Sequence, residues 1–170
     1  LLEPVARSTA PALAAAAFVI QRDYGDDAVM QVLASDHEID ASTHYFDCIF
    51  AANETAKSGK LVTFGIKPTE PATGYGYIEI GTGLDTGAKT VARFVEKPDQ
   101  ARAEELLASG RYLWNSGMFM LPVTLFLSEL AAFAPDAHEA AQKAVLNSAS
   151  DLDFVRLETE SFSQAPDISV

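Results

Sequence analysis

Two short stretches carry the residues best suited to chemistry: Phe94-Val95-Glu96-Lys97-Pro98 and, a helix-length further on, Tyr112-Leu113-Trp114-Asn115-Ser116-Gly117-Met118-Phe119. They set a carboxylate, an ammonium and a carboxamide at the ends of two apolar runs that read as buried strands. A carboxylate only accepts hydrogen bonds, an ammonium only donates them and a carboxamide does both, so the three suit a hydroxylated, phosphorylated ligand. Lys97 would meet the phosphate as a point charge and Glu96 the hydroxyls. Neighbours on a regular strand point to opposite faces. Glu96 and Lys97 therefore serve one pocket only if the chain bends there, and Pro98 gives it a reason to bend. Without a bend they are an exposed strand-end ion pair that contributes little.

Three residues carry a double reading. Gly76 either turns Gly74-Tyr75-Gly76-Tyr77 into a strand or, lacking a Cβ, lets a ligand approach the backbone. Asn115 is either a turn residue ahead of Gly117 or a hydrogen-bonding group for a sugar. Asp36, in Ser35-Asp36-His37 after another apolar run, is either turn chemistry accepting from nearby backbone N–H groups or a ligand to a hard divalent cation, which keeps waters and substrate phosphates around it.

The charge balance narrows the partners. Twenty-four acidic residues against twelve Lys and Arg leave a formal charge of −12, and the cations are dispersed, which argues against a nucleic-acid partner. An anionic ligand would need local cations or a metal to overcome that background, with Lys97 and Arg7 as first candidates. The lone Cys48 excludes an internal disulfide and a multi-cysteine metal site, and fits a reducing cytoplasm. No run reaches the ~18 apolar residues of a membrane span; Pro122 and Thr124 interrupt the most apolar stretch, so no membrane association is expected. The chain opens at Leu1 with no basic segment leading an apolar one, so it reads as cut from a longer protein without a signal peptide.

The elements that must position these groups alternate along the chain. Ser8-Thr9 with Pro11 opens an alanine-rich helix through Asp23, suited to close packing. Val29–Ala34 reads as a buried strand, Ala41–Ser58 as an amphipathic helix ended by Gly59, and Leu61–Ile66 as a strand. After a loop over Pro68–Tyr75 come strands at Tyr77–Ile80 and Thr90–Lys97, joined by a turn over Gly81–Gly87. A helix over Ala101–Ser109, capped by Gly110, leads to a strand over Tyr112–Leu121 with a turn-like break at Asn115-Ser116-Gly117. Helices follow from Pro122 to Phe133 and from Asp136 to Leu146, and Asp151–Leu157 fits a helical turn or a strand equally. This alternation predicts an α/β layered fold, one domain over residues 1–170, with a mixed, mainly parallel sheet flanked by helices. Ligands of such sheets sit beyond the carboxyl ends of strands, where Asp36 and Glu96-Lys97 fall.

Six segments in order carry a family resemblance: Glu3-Pro4-Val5-Ala6-Arg7-Ser8-Thr9-Ala10-Pro11, Val32-Leu33-Ala34-Ser35-Asp36-His37, Thr63-Phe64-Gly65-Ile66-Lys67-Pro68-Thr69, Thr73-Gly74-Tyr75-Gly76-Tyr77-Ile78, Phe94-Val95-Glu96-Lys97-Pro98 and Trp114-Asn115-Ser116-Gly117-Met118-Phe119. Together they resemble the bacterial mannose-1-phosphate guanylyltransferases, over nearly the whole chain. The chain departs from that family's usual Gly, Asn and Pro at Ala6, Ser8 and Ala34.

The resemblance implies a Rossmann-like nucleotidyltransferase fold and an enzyme, with GTP and mannose 1-phosphate as partners, GDP-mannose and pyrophosphate as products, and Mg2+ as cofactor. It assigns Asp36 to the metal, Lys97 to the mannose phosphate, and Glu96, Asn115 and the Gly76 backbone to the mannose. Asp36 and Lys97 are the groups nearest the chemistry, and Arg7, Ser8, Thr9 and Ser35 fall to the nucleotide. The product would feed polysaccharide synthesis in the cytoplasm, and a homo-oligomer is left open. The family's triphosphate loop and second metal-binding Asp would lie outside residues 1–170, so these residues alone are expected to be inactive. The alternatives are a sugar-1-phosphate nucleotidyltransferase using dTTP or UTP, and a non-catalytic sugar-nucleotide-binding subunit.

Overall fold

A computed structural model describes every residue from Leu1 to Val170. The elements run α1 (Thr9–Tyr24), β1 (Val29–Val32), α2 (Thr43–Lys57), β2 (Val62–Ile66), β3 (Tyr77–Gly83), β4 (Lys89–Val95), α3 (Gln100–Ser109) and β5 (Tyr112–Pro122). There follow α4 (Val123–Phe133), α5 (Pro135–Leu146), a small hairpin of β6 (Ala149–Asp151) and β7 (Phe154–Arg156), and α6 (Thr159–Ser163). The chain forms two compact units, one of Leu1–Met30 with Leu121–Val170 and one of Gln31–Met120.

The first unit is largely helical. Ala10, Ala14, Ala15 and Ala17 of α1 are buried, as are Ala137, Ala140, Ala141 and Ala144 of α5, and α1 packs on both α4 and α5. Side chains this small let helix axes approach closely, and alanine gives up no rotamer freedom on burial. α1 ends where Gly25 turns to a φ of +93°. Asp151–Leu157, left undecided above, is an antiparallel hairpin with Leu152 at its tip at a φ of +53°. The short α6 has no sequence expectation; Glu158 caps it, its carboxylate accepting from the Glu160 and Ser161 amides.

The second unit holds most of a five-stranded sheet in the order β1-β5-β3-β4, with β2 also on β5. The α/β layering matches the expectation. One part of it is corrected: β5 runs antiparallel to β2 and to β3, and β3 antiparallel to β4, so these pairings are not parallel. The short link from β3 to β4 forces the last of these, because a tight hairpin can only join antiparallel neighbours whereas a parallel pair needs a long crossover. On one face Tyr77, Ala103, Leu106 and Tyr112 form a buried cluster, with Val95 and Trp114 against it. α3 is held over that face, capped by Asp99 at its start and by Gly110, left-handed at a φ of +67°, at its end.

β5 is continuous through the expected break. The irregularity is a bulge: Thr63 faces Phe119 and Gly65 faces Asn115, so β5 spends extra residues opposite β2. Gly117 takes a φ of +71° there. The Ser116 hydroxyl donates to the Phe64 carbonyl at 2.7 Å and accepts from the Met118 amide at 3.1 Å, stitching the bulge shut.

Candidate functional site

The bulge and the end of β4 bring four of the expected residues together. Val95 is the last β4 residue paired with β3, opposite Tyr77, and Tyr77 pairs on its other side with Trp114 of β5. The residues one step beyond these pairs are therefore neighbours: Glu96 after Val95, Gly76 before Tyr77 and Asn115 after Trp114. The Asn115 amide donates to the Gly76 carbonyl at 2.8 Å. A Cβ built on Gly76 would lie 2.8 Å from Oε2 of Glu96 and 2.8 Å from the Phe94 ring, so only glycine leaves that carboxylate where it is.

The bend at Lys97 is present. β4 stops at Val95, short of the expected Lys97, and Lys97 takes a φ of +39°, a left-handed conformation unusual for a residue with a side chain. The turn lays Nζ of Lys97 3.8 Å from Oε1 of Glu96, on one side of the chain rather than two. Both side chains are more than half exposed, at 67% and 60%, and such a pair adds little stability. That ion pair does not repay the cost of the left-handed backbone at Lys97. Pro98 behind it is buried and anchors the bend.

Ser35 and Asp36 lie in an exposed turn beyond β1, within the same unit. No hydrogen bond or ion pair joins them to the Gly76, Glu96, Lys97 and Asn115 group. Nowhere do three or more His, Cys, Asp or Glu side chains converge as a metal-binding cluster.

Arg7, Ser8 and Thr9 belong to the other unit and are engaged with its C-terminal segment. The Arg7 guanidinium donates to the carbonyls of Ala165, Ser163 and Ala6, using three of its five N–H groups. Ser8 donates from both its amide and its hydroxyl to Oδ1 of Asp167, at 2.7 and 2.6 Å, which holds that carboxyl below the usual aspartate range. Thr9 accepts from the Val170 amide at 3.1 Å. These contacts, invisible at the level of motif, give all three a structural task.

Sequence reasoning also missed Thr63, whose hydroxyl lies 2.7 Å from Oδ1 of Asn115, and the edge-on contact of Tyr75 with Trp114, ring centres 5.1 Å apart. Neither has a local signal, since each pair meets only through sheet register. A cavity of about 900 Å3 opens in the same unit, walled by Tyr45, Cys48 and Thr55 of α2, Thr63 of β2, Ile78 of β3 and Leu113 of β5 among others. Its walls are mainly apolar and include none of Gly76, Glu96, Lys97 and Asn115, so the polar group lies outside this hollow.

Comparison with known proteins bears on this geometry. The family described as Nucleotidyl transferase matches residues 1–159. The chain is 51% identical over 170 residues to the mannose-1-phosphate guanylyltransferase of Sinorhizobium fredii, covering all of this chain and 33% of the relative. It is 52% identical over 173 residues to that of Klebsiella pneumoniae and 49% identical over 170 residues to the xanthan biosynthesis protein XanB of Xanthomonas campestris, covering all of this chain and 36% of each. The chain thus spans about a third of the length of these relatives. Among solved structures it resembles one named mannose-6-phosphate isomerase from Helicobacter pylori, with a TM-score of 0.85, 34% identity and coverage of 99% of this chain and 64% of that one. It also resembles one named mannose-1-phosphate geranyltransferase from Thermus thermophilus, with a TM-score of 0.83, 30% identity and coverage of 99% and 47%.

Proposed function

We propose, since the chain belongs to the nucleotidyl transferase family, that its parent protein transfers GMP from GTP to mannose 1-phosphate, giving GDP-mannose and pyrophosphate. The observation that carries this reading is the meeting of Gly76, Glu96, Lys97 and Asn115 at the ends of β4 and β3 and the bulge of β5. Relatives about half identical along the whole chain, and named for that activity, support the choice of sugar and base.

In this reaction a phosphate oxygen of mannose 1-phosphate attacks the α-phosphorus of GTP as the bond to pyrophosphate breaks. The electrons of that bond leave with pyrophosphate. No protein nucleophile is needed, so the residues contribute alignment and charge. Lys97 grips the sugar phosphate and offsets its repulsion from an acidic protein. Glu96 accepts from the mannose hydroxyls, Asn115 adds a carboxamide contact, and the bare backbone at Gly76 lets the sugar ring sit close. The nucleotide assignments of Ser35, Arg7, Ser8 and Thr9 rest on resemblance alone, and the last three are engaged with the C-terminal segment of their own unit.

Asp36 fits a Mg2+ site of the kind this chemistry uses. Mg2+ is commonly held by one or two carboxylates with phosphate oxygens and waters completing its shell, and Asp36 is a single exposed carboxylate. When bound, the ion neutralises charge on the reacting phosphates. The reaction belongs in the cytoplasm, where GTP is available, and its product serves polysaccharide synthesis. No helix is long and apolar enough to cross a membrane.

The test is pyrophosphate release by the full-length parent protein with mannose 1-phosphate and GTP, UTP or dTTP. GTP should support the fastest turnover. Preference for UTP or dTTP overturns the base assignment, and GDP-mannose binding with no pyrophosphate from any nucleotide indicates a non-catalytic binding subunit.

A further inference from the structure

The Thr63 hydroxyl lies 2.7 Å from Oδ1 of Asn115 and 3.2 Å from the Met118 carbonyl oxygen. A hydroxyl has a single hydrogen, and the shorter contact takes it. Oδ1 of Asn115 is thereby engaged. Nδ2 of the same carboxamide has no protein acceptor, yet Trp114 Nε1 is the one side-chain polar atom that is both buried and unpaired, so Nδ2 opens to solvent. The backbone on either side is fixed as well, by the Asn115 amide on the Gly76 carbonyl and by the Ser116 hydroxyl on the Phe64 carbonyl. What remains free is rotation of the carboxamide, and Thr63 is the side chain that holds it, donating to Oδ1 in this structure.

We propose that Thr63 is a positioning residue that holds the Asn115 carboxamide with its NH2 group presented to the sugar 1-phosphate. This rests on the reading of Gly76, Glu96, Lys97 and Asn115 as the sugar-phosphate site. The chemical reason is polarity. Glu96 can only accept and so serves sugar hydroxyls that donate, whereas the phosphate and ring oxygens of the ligand accept and need a donor. A carboxamide turned the other way sets a second acceptor beside the first and withdraws the donor from those oxygens, which costs binding.

The experiment uses the full-length parent protein and compares Thr63→Val, Thr63→Ser, Asn115→Ala and the Thr63→Val/Asn115→Ala pair. Thr63→Val should raise KM for the sugar 1-phosphate about tenfold while KM for GTP stays within about twofold. Thr63→Ser, which keeps the hydroxyl, should return KM to within about threefold of the unmodified protein. Adding Thr63→Val to Asn115→Ala should change little, because both act through one contact. An unchanged KM for the sugar phosphate in Thr63→Val overturns the proposal. So does additivity in the double variant, or a rise for both substrates together with a lower Tm that serine fails to correct. Running the series with mannose 1-phosphate and glucose 1-phosphate separates the two levels of inference. If glucose 1-phosphate is preferred the mannose assignment fails while the coupling is still read, and an enzyme that accepts neither sinks both.

Discussion

Gly76 lies against Glu96 so closely that a methyl group on the former would sit 2.8 Å from a carboxylate oxygen of the latter. The atoms in the way, Oε2 of Glu96 and the far edge of the Phe94 ring, end flexible side chains, so the fold can yield while the carboxylate cannot stay in place. Gly76→Ala should therefore leave Tm within about 2 °C and raise KM for the sugar 1-phosphate about tenfold. A large fall in Tm would show that Gly76 serves the sheet and not the site.

Lys97 combines a strained backbone with a charge assigned to the ligand, and the two are separable by substitution. Glycine accepts a φ of +39° freely, so Lys97→Gly removes a cost of about 1 kcal/mol, partly offset by the looser unfolded chain. Its Tm should equal or slightly exceed that of the unmodified protein, while affinity for the sugar phosphate falls about 10- to 100-fold with the loss of a charged hydrogen bond. Lys97→Ala should show the same loss of affinity and no gain in Tm. Thermal melts and substrate titrations of both variants decide the matter.

Ser116 closes the β5 bulge with two hydrogen bonds, one given to the Phe64 carbonyl and one taken from the Met118 amide. Ser116→Ala should destabilise by about 1–3 kcal/mol, since it leaves two part-buried backbone groups without a partner. Amide exchange should quicken at Met118 before it does elsewhere in β5. Uniform acceleration along the strand would count against a local role.

The C-terminal segment should loosen in acid. Asp167 accepts from the Ser8 hydroxyl and amide, and Glu158 from Ser161 and the Glu160 amide, and both carboxyls sit below their usual values for that reason. A depressed carboxyl gives its stabilisation in full above its unfolded pKa, about 3.9 for Asp and 4.3 for Glu, and loses it as the pH falls through the lower folded value. Amide exchange at Ser8 and Ser161 should be flat from pH 7 to about 5, after correction for intrinsic rates, and rise below about 4. Asp167→Asn should remove the acid-dependent rise at Ser8 alone; a rise that persists there would assign it to another group.

Much of the secondary structure was legible because its signals are local. Ser8-Thr9 with Pro11 opens α1, Gly110 ends α3, and the apolar runs at β1 and β2 stand between polar ends. The site was half legible. Pro98 after Glu96-Lys97 announced a bend, and the motif order marked Gly76 and Asn115 as their companions, but nothing local indicates which residue holds the Asn115 amide. The same limit explains the other differences. Sheet direction depends on which strands pair, the apparent break at Asn115-Ser116-Gly117 is a bulge only because β2 lies opposite it, and Arg7 reads as a free cation until the backbone carbonyls of Ser163 and Ala165 come to meet it.

The sequence by itself determined the chemical inventory, the alternation of helix and strand and the places where the chain must turn, because propensity, capping and proline geometry act over a few residues. Tertiary structure decided which groups meet: Glu96 on Gly76, Asn115 on Thr63, Ser8 on Asp167. Those contacts join residues from 20 to 159 positions apart, and the register that brings them together is set by packing the whole chain at once, which no short stretch encodes.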